Sequence, residues 1–245
     1  MAASRILVVP CYNEAGRLEV ERWVRFAEEG PAKILFVDDG SRDDTLRVLG
    51  AMHERSPERI ETLHLSLNAG KGEAVRAGLK RGIELGAEAI GYSDADLATP
   101  PEEITRLFEA LDDEPALLGV IGSRIKTLGT HIERRALRHY LGRVFATGAA
   151  VALGRPVYDT QCGAKVFRVG PVLERALEEP FVSRWAFDVE LLARLFEGAP
   201  AGADVIHELP LRTWVHVAGS KLKASGMLKA SLDLARIGWK TRRAR

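Results

Sequence analysis

Five apolar, β-branched runs recur through the first half of the chain, and each ends in a polar cluster. They are RILVVP (5–10), KILFVDD (33–39), IETLHLS (60–66), AEAIGYSDAD (87–96) and LLGVIGSR (117–124). Between them lie stretches with helical spacing: EAGRLEVERWVRFAEEG (14–30), RDDTLRVLGAMHER (42–55), GKGEAVRAGLKRGIELG (70–86) and PPEEITRLFEAL (100–111). The last opens on proline with acidic residues beside it, as helix N-termini prefer. Strands that are apolar throughout need cover on both faces, and alternating helices supply it. The expected fold class is α/β, a mostly parallel nucleotide-binding-like sheet flanked by helices. Ligands in such sheets bind beyond the carboxyl ends of the strands. The polar clusters PCYNE, DDGS, NAGKG, DAD and GSR all fall there.

After about residue 125 the pattern changes. HIERRALRHYLGRVFATGAAVALG (131–154) predicts a long helix carrying Arg134, Arg135, Arg138 and Arg143. DTQCGAKVFR (159–168) reads as a strand or loop, WAFDVELLARLFEG (185–198) as an amphipathic helix, and ADVIHELPLRTW (203–214) as a strand. The tail GMLKASLDLARIGWKTRRAR (226–245) has helical spacing and a basic end. With no linker, repeat or low-complexity stretch, the expectation is one domain with a C-terminal elaboration.

Charge narrows the partners. Of 245 residues 46% are apolar and 28% charged, and the net charge is +1. That is an ordinary soluble composition, with no field that would draw nucleic acid. Cys11 and Cys162 have no metal-ligand spacing and suggest no disulfide framework, so a reducing, cytoplasmic compartment is expected. The opening MAASRILVVPCYNE has too short an apolar run for a signal peptide, and no stretch approaches the roughly 20 apolar residues of a membrane span. Contact with a membrane would be peripheral, at its cytoplasmic face, through the basic C-terminal helix.

The clusters carry the chemistry. Asp38 and Asp39 end a buried strand, where a carboxylate can accept from a uracil N3–H or from ribose hydroxyls; Asp-Gly is equally a common turn dipeptide. Lys71 lies between glycines at a helix start, which suits a phosphate. It lacks the G-x-x-x-x-G-K-[ST] spacing, and no G-x-G-x-x-G follows the first strand. Asp94 and Asp96 lie two apart, and on an extended segment they would face the same side. Two such carboxylates raise each other's pKa unless a cation lies between them, and Mg²⁺ or Mn²⁺ would suit oxygen ligands that also bridge to substrate phosphates. A D-x-D tripeptide alone is a frequent chance match; at the same sheet edge as DDGS and GKG it points to a site.

Together, VVPCYNE, VDDGSRDDT, NAGKGEAVRAGL, DADLATPPEEI and GSR resemble the inverting family 2 glycosyltransferases of the GT-A fold. DTQCGAKVF, RWAFDVELL and GSKL resemble their dolichyl-phosphate glucosyltransferase branch, with polyprenyl-phosphate mannose synthases close by. The resemblance runs in order over residues 5–240. It implies a single GT-A domain over 1–245, with a nucleotide-sugar half (1–125) and an acceptor half with C-terminal helix (126–245). It implies transfer of a hexose, glucose favoured, from UDP-glucose to a polyprenyl or dolichyl-type lipid phosphate, with Mg²⁺ or Mn²⁺. Pro10, Tyr12, Asn13, Glu14, Asp38 and Asp39 would hold the nucleoside. Lys71 and Ala95 would lie near the nucleotide sugar, and Asp94 and Asp96 would hold the metal. Arg124, Arg138 and Lys221 match basic positions near the donor and acceptor phosphates. Arg134, Arg135, Asp159 and Gln161 would line the acceptor pocket. Asp188 would line the sugar pocket and is the candidate base for a hydroxyl acceptor.

The chain departs from these relatives in three places. Ala98 stands where the mannose synthases keep glutamine, and His216 stands in an acidic position ahead of GSK. The membrane-spanning N-terminal anchor of the eukaryotic glucosyltransferases is expected to be absent. Alternatives are a hydroxyl acceptor (glycolipid, glycan or small molecule) or GDP-mannose as donor. A nucleotidyltransferase would need a Gly-rich basic loop after the first strand, which PCYNEAGRL is not; a non-catalytic nucleotide-sugar-binding module would have no turnover to lose.

Overall fold

The computed structural model describes residues 4–132, 136–184, 186–200 and 202–217, with backbone alone over 136–144. In chain order the elements are β1 (Arg5–Cys11), α1 (Val20–Glu29), β2 (Lys33–Asp38), α2 (Thr45–Arg55), β3 (Ile60–His64), α3 (Lys71–Glu84), β4 (Ala89–Ser93) and α4 (Pro101–Asp113). They continue as β5 (Gly119–Ser123), β6 (His131–Ile132), α5 (Ala136–Leu153), β7 (Ala164–Arg168), α6 (Pro171–Ala176), α7 (Phe187–Gly198), β8 (Ile206–Pro210) and β9 (Thr213–Trp214).

Among the described residues the sheet has seven strands in the order β3-β2-β1-β4-β7-β5-β8, with β6 and β9 as a separate parallel pair. β1, β2, β3 and β4 are mutually parallel, as the apolar runs predict. The strand order reverses between β1 and β4, which is where such sheets open a crevice. β7 is antiparallel to both β4 and β5. Its reversed direction brings its entry loop, residues 159–163, to the carboxyl ends of β4 and β5.

Close packing sets how the helices lie. A Cβ on Gly78 would run into Val8, and one on Gly82 into Ile90, so these glycines let α3 settle directly on β1 and β4. On the other face Trp23 of α1 is fully buried, edge-on to Phe36 at 5.6 Å between centroids. A side chain of that size buried against the sheet contributes several kcal/mol, on the order of the 3–5 lost on truncation to alanine.

Several elements differ from the sequence expectation. Residues 14–18 form a turn, not the first turn of α1: the amides of Arg17 and Leu18 both donate to Glu14 O, while those of Glu14 and Ala15 are held by Thr45 Oγ1. α7 is not amphipathic. Phe187, Leu191 and Leu195 pack into one core cluster, and Val189, Leu192 and Ala193 into another, so both faces are covered. The run 203–214 divides into β8 and β9, because the amides of Arg212 and Thr213 turn to the buried Glu103 carboxylate. Residues 131–132 are strand, and the long helix is described over Ala136–Leu153. Asp94 and Asp96 are not extended: β4 stops at Ser93, and a turn follows in which Leu97 takes φ 52°. Among the described residues no helix is long and apolar enough to cross a membrane.

Candidate active site

The loops beyond the carboxyl edge are stitched to one another through backbone amides. After β1, Asn13 adopts φ 50°; its amide donates to Ser41 Oγ at 2.9 Å and its Oδ1 accepts from the Arg42 amide at 2.8 Å. Pro10 stays within β1, opposite Val37. Asp38 is fully buried, its Oδ1 accepting from the Ser41 amide and its Oδ2 lying 2.8 Å from His64 Nδ1. Asp39 accepts from the amides of Ala69 and Gly70 and from Asn68 Nδ2, at 2.8–2.9 Å. Burial pushes the Asp39 carboxyl above the ordinary range, and the two amides work against that. The carboxylates expected at the nucleoside are thus also committed within the protein, and Asp39 holds the loop that leads into α3.

That loop is clamped from the other half of the chain. Arg184 donates to Ala69 O, Asn68 O and Asn68 Oδ1, at 2.9–3.0 Å. Gly70 adopts φ 96°, and a Cβ there would strike the Arg184 guanidinium. Gly72 packs on Phe187, the first residue of α7. The clamp places Lys71 at the N-terminus of α3, with its Nζ 2.5 Å from Asp94 Oδ1. Burial disfavours the charged ammonium, but Asp94, Asp188 and Asp96 outweigh it and its pKa is raised.

The turn 94–98 is pinned at four points. The Asp94 amide donates to Gly163 O at 3.0 Å, Trp23 Nε1 donates to Ala95 O at 3.1 Å, the Ala98 amide donates to Asp96 Oδ1 at 3.1 Å, and the Val215 amide donates to Ala98 O at 3.0 Å. A Cβ on Gly163 would run into the Asp94 carboxylate, so DTQCG must have glycine at that point. Asp96 is desolvated and faces Asp94, and both effects raise its pKa. The Arg17 guanidinium lies 3.9 Å from its Oδ2. Two crowded, partly exposed carboxylates fit a hard divalent ion. Among the described residues no group of three or more His, Cys, Asp or Glu could hold a metal by itself. An ion here would therefore complete its shell with substrate oxygens and water, as Mg²⁺ and Mn²⁺ do.

Beneath this turn lies a charged core that sequence reasoning only half saw. Lys165, fully buried on β7, donates to Asp188 Oδ1 at 2.7 Å and to Cys162 O at 2.5 Å. Tyr92 OH donates to the same Asp188 oxygen. Burial, then the Asp188 charge, pushes the Tyr92 phenol well above its ordinary pKa. The sequence singled out Asp188 as a sugar-pocket residue and candidate base but not its partners, because AKVFR and AIGYS read simply as strands.

A second cluster lies beside it. Arg124 Nε and Nη2 grip Asp159 at 2.7 and 2.8 Å, and the guanidinium lies 5.3 Å from the Trp214 ring centroid. Burial opposes the Arg124 charge, but Asp159 outweighs it and the pKa rises. Glu208 on β8 anchors the loop by accepting from the amides of Tyr158 and Asp159. Gln161 Nε2 is buried there with no hydrogen-bond partner among the described residues. Arg124, expected near the donor and acceptor phosphates, and Asp159, expected in the acceptor pocket, are therefore brought together as one ion pair. Arg134, Arg135, Lys221, the Arg138 side chain and the basic tail lie outside the described residues.

Residues 6–174 match the model of glycosyl transferase family 2. The chain is 33% identical to dolichyl-phosphate beta-glucosyltransferase ALG5C of Trichomonas vaginalis, over 94% of this chain and 69% of that protein. It is 29% identical to polyprenol monophosphomannose synthase of Mycolicibacterium smegmatis, over 95% and 86%. Among solved structures, glucosyl-3-phosphoglycerate synthase from Mycobacterium tuberculosis, crystallised with Mn²⁺, UDP and glucosyl-3-phosphoglycerate, superposes with TM-score 0.70. It covers 98% of this chain and 80% of its own at 19% identity, a likeness of fold. On the family match and these relatives, the chain belongs to glycosyl transferase family 2 and has the GT-A architecture.

Proposed function

We propose that this protein transfers glucose from UDP-glucose to a polyprenyl phosphate, using Mg²⁺ or Mn²⁺. The observation that carries the reading is the convergence of Asp94, Asp96 and Lys71 at the switch point between β1 and β4. The names of its relatives support the acceptor class, and the fold neighbour's complex with Mn²⁺ and UDP supports the donor class. Residues 1–125 form the donor half and 126–245 the acceptor half of one domain. A lipid acceptor places the working enzyme at a membrane surface.

Pro10, Tyr12, Asn13, Glu14, Asp38 and Asp39 hold the nucleoside. Asp94 and Asp96 hold the metal, and Ala95 presents the turn to the diphosphate. When bound, the ion supplies neutralisation of charge on the departing diphosphate. An acceptor phosphate oxygen forms a bond to the sugar anomeric carbon as the bond from that carbon to the diphosphate breaks, inverting the centre. The nucleoside diphosphate leaves, and Lys71 shares in stabilising the charge it acquires. A phosphate is already ionised at neutral pH, so no base is required. Asp188 Oδ1 already carries the Lys165 ammonium and the Tyr92 hydroxyl, which suits an anchored anion better than a free base and favours the phosphate over a hydroxyl acceptor. Arg138 and Lys221, with Arg134 and Arg135, hold the two phosphates together, and the Arg124–Asp159 pair with Gln161 shapes the acceptor wall.

The test is a double-label assay with UDP-glucose and GDP-mannose, a divalent ion and a detergent-solubilised polyprenyl phosphate. The expected product is a glucose phosphodiester of the lipid, labile to mild acid. Label arriving only from GDP-mannose would reassign the donor; no lipid product with either sugar would sink the acceptor assignment.

A further inference from the structure

Lys71 occupies an unexpected place. A lysine at a helix start beside glycines is equipped to meet a phosphate, yet its ammonium lies against Asp94 Oδ1 at 2.5 Å. Asp188 and Asp96 add their fields to that of Asp94. The ammonium is 5.9 Å from the Phe187 ring centroid, at the N-terminus of α7. Divalent cations bind carboxylate oxygens at about 2.0–2.6 Å, the separation the ammonium already takes. A divalent ion on the same carboxylate would stand within a few ångströms of the ammonium, and the two positive charges would repel.

The backbone cannot yield. Asp39 holds the amides of residues 69–70, Arg184 holds the carbonyls of residues 68–69, and Gly72 is packed on Phe187. The side chain can: the Lys71 side chain is 29% exposed and hangs on a flexible four-carbon stem. Its next available anion would be a diphosphate brought to the same helix N-terminus.

We propose that Lys71 is the resident counter-ion of the carboxylate pair: it competes with a divalent cation for Asp94 while the donor site is empty. Once a nucleoside diphosphate is present it turns to the phosphates and assists the cation. Metal and nucleotide then bind cooperatively because each removes the other's competitor. This rests on the reading of Asp94 and Asp96 as metal ligands.

The test is Mn²⁺ binding without nucleotide, followed by electron paramagnetic resonance of free Mn²⁺ and repeated with UDP. Lys71→Met is expected to bind Mn²⁺ alone about tenfold more tightly than the wild type, the lower end of what a charged hydrogen bond contributes. UDP should then tighten Mn²⁺ less in Lys71→Met than in the wild type. Lys71→Arg keeps the charge and should stay weak, as should Lys80→Met, which removes an exposed cation further along α3. Unchanged or weaker Mn²⁺ binding by Lys71→Met, with binding abolished in Asp94→Asn, would overturn the competition and leave the metal reading standing. Wild-type Mn²⁺ binding by Asp94→Asn would remove the metal reading and this proposal with it.

Discussion

Replacing Lys165 with methionine removes a cation that is fully buried between Asp188 and Cys162 O. Methionine fills most of the volume, so the loss is chiefly electrostatic. The variant leaves the Asp188 carboxylate, itself 5% exposed, with the Tyr92 hydroxyl as its donor, and leaves a buried carbonyl without its ammonium. Breaking one side of a buried ion pair costs about 3–5 kcal/mol, a large part of the roughly 5–15 kcal/mol that holds a domain together. Asp188→Asn strands the ammonium and should cost a similar amount. The double variant Lys165→Met/Asp188→Asn removes both charges while its amide oxygen still accepts from Tyr92. It should therefore cost less than the sum of the single variants by about 2–3 kcal/mol. Urea unfolding of all four proteins, followed by tryptophan fluorescence, measures the cycle. Additive single and double costs would show that the two charges do not support each other, and the argument for an anchored Asp188 would fall.

Other consequences can be measured alongside. Gly163→Ala drives a methyl into the Asp94 carboxylate; stability should fall by about 1–3 kcal/mol while turnover falls far more, a split seen by comparing unfolding midpoints with kcat. Trp23→Phe keeps the ring but strands Ala95 O; urea unfolding should show a loss of about 1–3 kcal/mol, and Mn²⁺ affinity should weaken with the loosened turn. Asp39 has a folded pKa raised above the usual 3.8, so the folded state holds its proton longer than the unfolded chain. Its contribution to stability is therefore greatest below 3.8 and is lost as pH rises through the folded pKa. Asp39→Asn should flatten that limb of the stability–pH curve; an unchanged limb would show that Asp39 is not its source.

The arrangement of the site follows from which strands meet. β1 through β4 deliver the first three polar loops and the DAD turn to one edge. The antiparallel β7 adds a loop whose Gly163 touches Asp94 and whose Asp159 grips Arg124. The clamp of Arg184 on residues 68–69 couples the second half of the chain to the loop that carries Lys71. A change at either half should therefore be felt at the other.

Strand–helix alternation, both-sided apolar runs and the polar residue at each strand end were legible in the amino-acid order, because periodicity and burial act over a few neighbouring residues. Those signals suffice for an α/β sheet with its chemistry on the carboxyl edge, and the DAD, NAGKG and DDGS motifs were enough to name Asp94, Asp96, Lys71, Asp38 and Asp39. Which charge meets which was decided only in three dimensions. Tyr92 and Asp188 are 96 residues apart, and Arg184 lies 115 from Ala69. Local spacing has no access to such pairs, so Lys165 passed as a strand residue and Arg124 as a free cation. The reversed β7, the turn that replaces an extended DAD and the burial of both faces of α7 belong to the same class. Each is fixed by packing against a distant segment, where filling space and pairing buried charge outweigh local preference.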